Sequence, residues 1–166
     1  MGEVLYEVNY QFEPGVFIPL LMLLVIPFVP KLEKHRYGRT TPVGTKIFLS
    51  VIWCIVFAVT LLVGKHQFDM YKTVTEAYKS GKYQIVEGYV ENFDPMPPEG
   101  HKTESFDIDG VHFFYSDYTV MTGYHNAKSK GGVITGNGQY LKIGYVHYGS
   151  SYGNVIVYIE ALPEPQ

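Results

Sequence analysis

The chain has 166 residues, a formal net charge of −3 and one cysteine, Cys54, so an intrachain disulfide is excluded. This length allows one domain and a short anchor. Residues 83–166 carry four basic and ten acidic side chains. A surface of that charge repels a phosphate backbone, which argues against nucleic-acid binding.

Residues 1–14 alternate in the manner of a β-strand. One set of positions is apolar or aromatic and the intervening set is mostly polar; the first set is Val4, Tyr6, Val8, Tyr10 and Phe12. We expect this extracytoplasmic segment to add an edge strand to a later sheet or to pair with a partner. An amphipathic surface segment is the alternative.

Two apolar stretches predict a two-helix membrane anchor over residues 15–64. The second, from Val43 to Gly64, has eighteen uncharged residues from Ile47 onward. As a helix the whole stretch would be about 33 Å long, enough for the hydrocarbon core. We therefore predict a transmembrane helix here, with the lipid bilayer as its surroundings.

The first apolar stretch, from Gly15 to Pro30, is shorter and is interrupted by proline. Pro19 is compatible with a first helical turn, whereas Pro27 should kink or end the helix. A cleaved signal peptide is disfavoured because three acidic residues and no basic residue precede the run. The sequence predicts a first span, with a re-entrant or interfacial helix as the alternative.

The loop between the two stretches, residues 31–46, has five basic residues and one acid. The positive-inside rule places such a loop in the cytoplasm. With two spans, both termini and the C-terminal domain would then lie on the extracytoplasmic, periplasmic side of the inner membrane. Four lysines that follow the second stretch reduce this charge asymmetry.

Small residues recur at intervals of four in the second stretch, at Ser50, Cys54 and Ala58. Such a stripe lets another helix approach closely, although small residues at this spacing also arise by chance. Trp53 lies in mid-span rather than at an interface, which favours packing against protein. These four residues are predicted to pack against the first span or a second copy.

Residues 65–82 are predicted to form a juxtamembrane helix. Phe68, Tyr71, Val74 and Tyr78 fall on one face, and Ser80-Gly81 is a typical C-terminal signal.

Residues 83–166 change to strand periodicity. The stretch YQIVEGYVENF predicts a strand that bends at Gly88, and Asp109-Gly110 predicts a type I′ hairpin turn that sets Phe106 opposite Phe113. The stretches QYLKIGYVHY and NVIVYIEAL predict a second hairpin. The predicted fold class is therefore membrane α plus all-β, with two transmembrane helices followed by a five- or six-stranded OB-like barrel.

The order of these segments resembles a known plan. Two N-terminal spans followed by VEGYVENF, SFDIDGVHFFYSDY and LKIGYVHYGSSYGNVIVYIEAL are similar to uncharacterised bacterial membrane proteins and, in plan, to the NfeD-type membrane-anchored OB domains. The resemblance covers roughly residues 43–162. It implies an accessory module on a membrane partner, and no catalytic residue is carried over.

The sequence offers little chemistry of its own. Four histidines lie in the β domain and none is within five residues of another, so neither a metal site nor a cofactor is predicted; they are His101, His112, His125 and His147. Ser116 and Asp117 place a possible nucleophile next to an acid. Adjacent strand residues point to opposite faces, which argues against a catalytic Ser-His-Asp arrangement. We expect them to form a turn in which Asp117 caps backbone groups.

The loop over residues 94–105 is rich in proline and therefore stiff. A rigid connector is the favoured interpretation of this loop. A partner contact, there and at two nearby aromatic positions, is the alternative, through Met96, Pro97, Pro98, Tyr118 and Tyr124. The predicted function is a non-enzymatic accessory or scaffold protein that binds a membrane protein partner or forms a homo-oligomer. A membrane-anchored sensor or carrier that binds a small ligand or metal is the alternative.

Overall fold

The computed structural model describes residues 2–9, 18–38, 40–100 and 102–164. Two compact units divide the chain: a helical unit, Phe12–Phe68, and a β unit, Met1–Gln11 with Asp69–Gln166. The predicted strand residues Tyr10 and Phe12 and the start of the first apolar stretch lie outside the described residues.

The helical unit begins with a broken segment. Helix α1 (Ile18–Val25) is followed by a 3₁₀ turn, Ile26–Phe28, and by α2 (Val29–Tyr37). Gly38 ends α2 in the left-handed conformation, with φ of 63°, and its N–H donates to the carbonyl of Lys34. We call α1, the 3₁₀ turn and α2 together the broken segment.

The predicted first transmembrane helix is therefore wrong. Helix α1 has eight residues, about 12 Å of helix, against a hydrocarbon core of about 30 Å. The physical reason is Pro27, which has no N–H to donate to the carbonyl four residues earlier and whose ring crowds that turn. The chain tightens into the 3₁₀ turn at this point and continues as the polar α2.

Helix α3 (Val43–Lys79) is 37 residues long and includes both the predicted second span and the predicted juxtamembrane helix. Within the described residues it is the one helix long and apolar enough to cross a membrane. Its end is as predicted. The Gly81 N–H donates to Tyr78 and the Lys82 N–H to Ala77, the pair of bonds that closes a helix on glycine.

In the part of the β unit that the structure describes, seven strands form two antiparallel sheets. One sheet has the order β1-β7-β6-β2 and the other the order β3-β4-β5. The strands are β1 (Glu3–Glu7), β2 (Gln84–Tyr89), β3 (Glu91–Asp94), β4 (Glu104–Ile108), β5 (Val111–Tyr115), β6 (Tyr140–His147) and β7 (Asn154–Ala161). A short helix, α4 (Gly149–Tyr152), connects β6 and β7.

Local signals predicted the pairing inside the second sheet. Asp109 and Gly110 both have positive φ, 46° and 75°, as a type I′ turn requires. Phe106 lies opposite Phe113 in the resulting hairpin, and both side chains are fully buried. The predicted β4–β5 register is confirmed.

The predicted edge strand is also confirmed, because β1 pairs with β7 from Glu3↔Ala161 to Glu7↔Tyr158. That pairing helps explain why the predicted OB-like barrel is wrong: the described residues form two open sheets rather than a closed barrel. A barrel needs a further strand on the outer edge of β7. Instead β1 lies along the second half of β7, and the N–H groups of Val8 and Tyr124 bond to Val157 and Ile156.

The core of the β unit lies between the sheets and the last turns of α3. Met70 and Val74 of α3 are fully buried against it. Of the predicted helical face, Val74 belongs to this core and Phe68 is exposed. The sequence pattern thus placed the correct turn of the helix inward and missed Met70.

Two glycines at the ends of α4 provide a test of this packing. At Gly153 φ is 60° and ψ is −129°, and an added Cβ would lie 2.6 Å from the Phe114 ring. At Gly149 φ is 63° and an added Cβ would meet nothing within 4 Å. We expect Gly153→Ala to lower the free energy of unfolding by about 3 kcal/mol, and the control Gly149→Ala by about 1 kcal/mol.

Urea unfolding in detergent, followed by tyrosine circular dichroism, measures both variants. Equal losses would contradict the described contact between Gly153 and Phe114.

Candidate functional site

Apolar side chains cover α3 on every side from Ile47 to Gly64, a surface that we call the apolar belt. Successive helix residues are 100° apart, so three in a row point to three sides. Leu61, Leu62 and Val63 are 57%, 70% and 45% exposed, and no residue in the most apolar eighteen-residue window is buried. A helix that is apolar all round is covered by lipid or by a large protein core.

The broken segment packs against α3 at one specific hydrogen bond. The Trp53 indole N–H donates to the carbonyl of Leu23 over 3.0 Å. Leu23 lies four residues before Pro27, so its carbonyl is the one that Pro27 leaves without a helical donor. Trp53 on α3 supplies that donor, which explains an indole in the middle of an apolar helix.

A groove of about 350 Å³ lies beside this bond, between the broken segment and α3. Its lining residues are Pro27, Pro30, Lys46, Leu49, Ser50, Trp53 and Cys54. The Ser50 hydroxyl donates to the carbonyl of Lys46 over 2.9 Å. We call this space the Lys46 groove.

The structure brings together three of the four predicted packing residues. Ser50, Trp53 and Cys54 line the Lys46 groove, whereas Ala58 is exposed and is not part of it. The sequence analysis predicted the break at Pro27 but missed its consequence for the carbonyl of Leu23. The signal was present, because a proline four residues after a carbonyl in an apolar helix requires a donor from elsewhere.

The predicted partner-contact residues are separated by burial. Met96 and Tyr124 are each 2% exposed and belong to the interior of the β unit, whereas Tyr118 is 57% exposed. A turn closed by the Gly100 N–H on the Pro97 carbonyl carries Pro97 and the exposed Pro98. Tyr118 packs on this turn, since a Cβ at Gly100 would collide with its hydroxyl. Pro97, Pro98 and Tyr118 form what we call the tyrosine surface.

A fully buried carboxylate, Glu104, lies behind the tyrosine surface. It accepts hydrogen bonds from the N–H of Met96 at 3.2 Å, the N–H of Lys128 at 3.0 Å and the hydroxyl of Tyr115 at 2.8 Å. Burial, with smaller contributions from Tyr124 and from this carboxylate, raises the pKa of Tyr115 far above its usual value, so Tyr115 stays a donor. Glu104 therefore joins the loop after β3 to the loop around Lys128.

Ser116 and Asp117 form a turn, as expected, but the side chain that caps a backbone N–H is that of Ser116. The Ser116 hydroxyl accepts the N–H of Tyr118 at 3.3 Å, and its carbonyl accepts the N–H of Thr119. Asp117 Oδ1 is buried without a partner among the described residues. The cap is the serine rather than the predicted aspartate.

The histidines that the structure describes are dispersed. His112 Nδ1 is 2.6 Å from Asp107 Oδ1, and hydrogen bonds from Asn92 and then from His112 lower the pKa of Asp107. His125 bonds to the Gly123 carbonyl and His147 to Asn154; His101 lies outside the described residues. Within those residues no three potential metal ligands converge.

Comparison of the chain with protein-family models, curated proteins and solved structures gave no match. The resemblance in plan to NfeD-type proteins stays a prediction. The roles of individual residues therefore rest on the geometry described above.

The bond between Trp53 and Leu23 can be tested by a double-mutant cycle with Pro27. Trp53→Phe leaves the Leu23 carbonyl without a donor and should lower stability by about 1–2 kcal/mol. In a Pro27→Ala background residue 27 regains its N–H, so the same Trp53 change should cost less than half as much. Thermal unfolding in detergent, followed by helical circular dichroism, measures the cycle.

Pro30→Ala is the matched control for this cycle, because its restored N–H faces the carbonyl of Ile26 rather than that of Leu23. An equal effect of Trp53→Phe in the wild-type and Pro27→Ala backgrounds would disprove the proposed compensation.

The role of Glu104 is tested by Glu104→Gln. An amide has one acceptor oxygen and would turn its NH₂ toward a donor, so we expect a loss of about 2 kcal/mol in the free energy of unfolding. Hydrogen exchange should rise at Met96 and Lys128. The control is Glu99→Gln, an exposed acid in the loop between β3 and β4, with an expected change in the free energy of unfolding below about 0.5 kcal/mol. Similar hydrogen exchange at Met96 and Lys128 in both variants would refute the role of Glu104.

Proposed function

We propose that the protein is a membrane-anchored, non-enzymatic accessory or scaffold protein. In this proposal the apolar belt lies in a bilayer and the tyrosine surface contacts a membrane protein partner or a second copy. The apolar belt is the observation that carries the proposal, because its large side chains are exposed on all sides of α3.

The dimensions of the belt support lipid as its covering. Its eighteen residues are about 27 Å long as a helix, close to the hydrocarbon thickness of a bilayer. Lys46 lies before the belt and Lys65-His66 after it. Long basic side chains at both ends can extend to the head groups.

The pairing of β1 with β7 constrains the arrangement. Residues 3–7 precede α3 and residues 154–161 follow it, yet they are neighbouring strands in one sheet. They must therefore lie on the same side of the membrane. The positive-inside rule supports an extracytoplasmic side for them, since the basic residues around α2 would remain cytoplasmic.

The broken segment is not a second continuous spanning helix. In the proposed arrangement the broken segment returns through the apolar layer beside α3. Irregular backbone at that depth is tolerated only where neighbouring protein satisfies it. The bond from Trp53 to Leu23 is such a contact.

The rigid backbone of the turn supports the tyrosine surface as the proposed contact with a partner. Glu104 fixes the backbone at Met96, next to the two prolines, so little conformational entropy remains to be lost on binding. Tyr118 is exposed on the turn that carries the two prolines, and exposed tyrosine is enriched at interfaces.

Two measurements on the full chain test the proposal. The protein should stay in the membrane after alkaline carbonate extraction, and affinity purification in mild detergent should recover a stoichiometric partner or a homo-oligomer. Tyr118→Ser should reduce that recovery several-fold, whereas Tyr89→Ser, an exposed tyrosine on β2, should not. Release by carbonate would overturn the anchoring, and a monomer without a partner would overturn the scaffold role.

Cysteine labelling tests the sidedness. In a Cys54→Ser background, single cysteines at exposed Glu3 and Glu91 should react with a membrane-impermeant maleimide from outside the cell. A cysteine at exposed Lys34, in α2, should react only after the membrane is opened. Labelling of Glu3 and Glu91 from opposite sides would contradict the arrangement.

A further inference from the structure

We propose that the Lys46 groove binds one anionic phospholipid, with the lipid phosphate at the Lys46 ammonium and an acyl chain along Trp53 and Pro27. This inference rests on the proposed insertion of the apolar belt. It adds a specific lipid-binding site to an anchor whose other contacts with lipid are non-specific.

The chemistry of the groove changes along its length. Lys46 is an exposed cation just before the apolar belt. The rest of the lining is apolar or neutral: Leu49, Trp53 and two proline rings form walls, and the Ser50 hydroxyl hydrogen is used by the Lys46 carbonyl. A groove that combines one cation with an apolar lining suits a phosphate attached to a hydrocarbon chain.

Charge complementarity favours an anionic head group. Among the described residues no carboxylate is paired with Lys46. Helix α2, whose Pro30 lines the groove, adds a net positive charge near it, since it carries Lys31, Lys34 and Arg36 against one acid, Glu33. Near a membrane surface one basic residue contributes about 1 kcal/mol of attraction to anionic lipid.

The hydrogen-bond donors of the groove favour a lipid chain over a helix from a second copy, because an acyl chain needs no hydrogen-bond partner. The Trp53 N–H is already bonded to Leu23, so the groove presents no unused indole donor to a partner helix.

The single tryptophan of the chain, Trp53, lines the groove and reports on it directly. Full-length protein is reconstituted in phosphatidylcholine vesicles that contain a small fraction of lipid brominated on its acyl chains. Brominated phosphatidylglycerol should quench Trp53 at about fivefold lower mole fraction than brominated phosphatidylcholine, the ratio that 1 kcal/mol gives.

Matched variants assign the preference to one side chain. Lys46→Gln should abolish the difference between the two lipids, and Lys46→Arg should keep it. Lys65→Gln, which removes a lysine at the opposite end of the apolar belt, should also keep it.

The outcomes separate this inference from the proposed function. Equal quenching of the wild type by both lipids, or equal loss of preference in Lys65→Gln and Lys46→Gln, would overturn the site while leaving the anchor intact. Quenching that falls for both lipids as the protein-to-lipid ratio rises would assign the groove to a second copy instead. Absence of quenching by either brominated lipid would overturn membrane insertion itself.

Discussion

The rest of the structure depends on the antiparallel pairing of the first strand with the last, because it joins the two flanks of a long apolar helix in one sheet. Strand β1 precedes α3 by more than thirty residues and β7 follows α3 by more than seventy, yet Glu3 lies opposite Ala161. The pairing protects the outer edge of β7, which would otherwise be exposed. It also determines the route of everything between them, since a chain whose apolar helix enters a bilayer must return to the side from which it started.

In the proposed membrane arrangement, that return requires hydrogen-bond partners for backbone groups in the apolar layer. A continuous helix satisfies its own N–H and C=O groups, whereas a segment broken at Pro27 leaves the Leu23 carbonyl to be satisfied from outside. Trp53 provides the donor from α3. Pro27 and Trp53 also line the Lys46 groove, so the residues of the compensating hydrogen bond border the proposed lipid site.

Apart from the edge strand β1, the parts of the fold that could be predicted from sequence are those set by a few neighbouring residues. The β4–β5 register follows from two positive-φ residues at Asp109 and Gly110, and the end of α3 follows from Gly81. The barrel was wrongly predicted because closure depends on which strand reaches the outer edge of β7. Which of several distant segments pairs with that edge is not encoded in the alternation of any single strand.

The candidate site shows the same division between local and distant information. Met96 between prolines has the local pattern of an exposed anchor, yet it is buried. Its burial follows from Glu104, eight residues on, which accepts the Met96 N–H and the Lys128 N–H together. A carboxylate can be buried here because three donors converge on it, and those donors come from separate parts of the chain. Pro97 and Pro98 follow Met96 in a turn on which Tyr118 packs at Gly100, so the buried Glu104 helps to position the proposed contact.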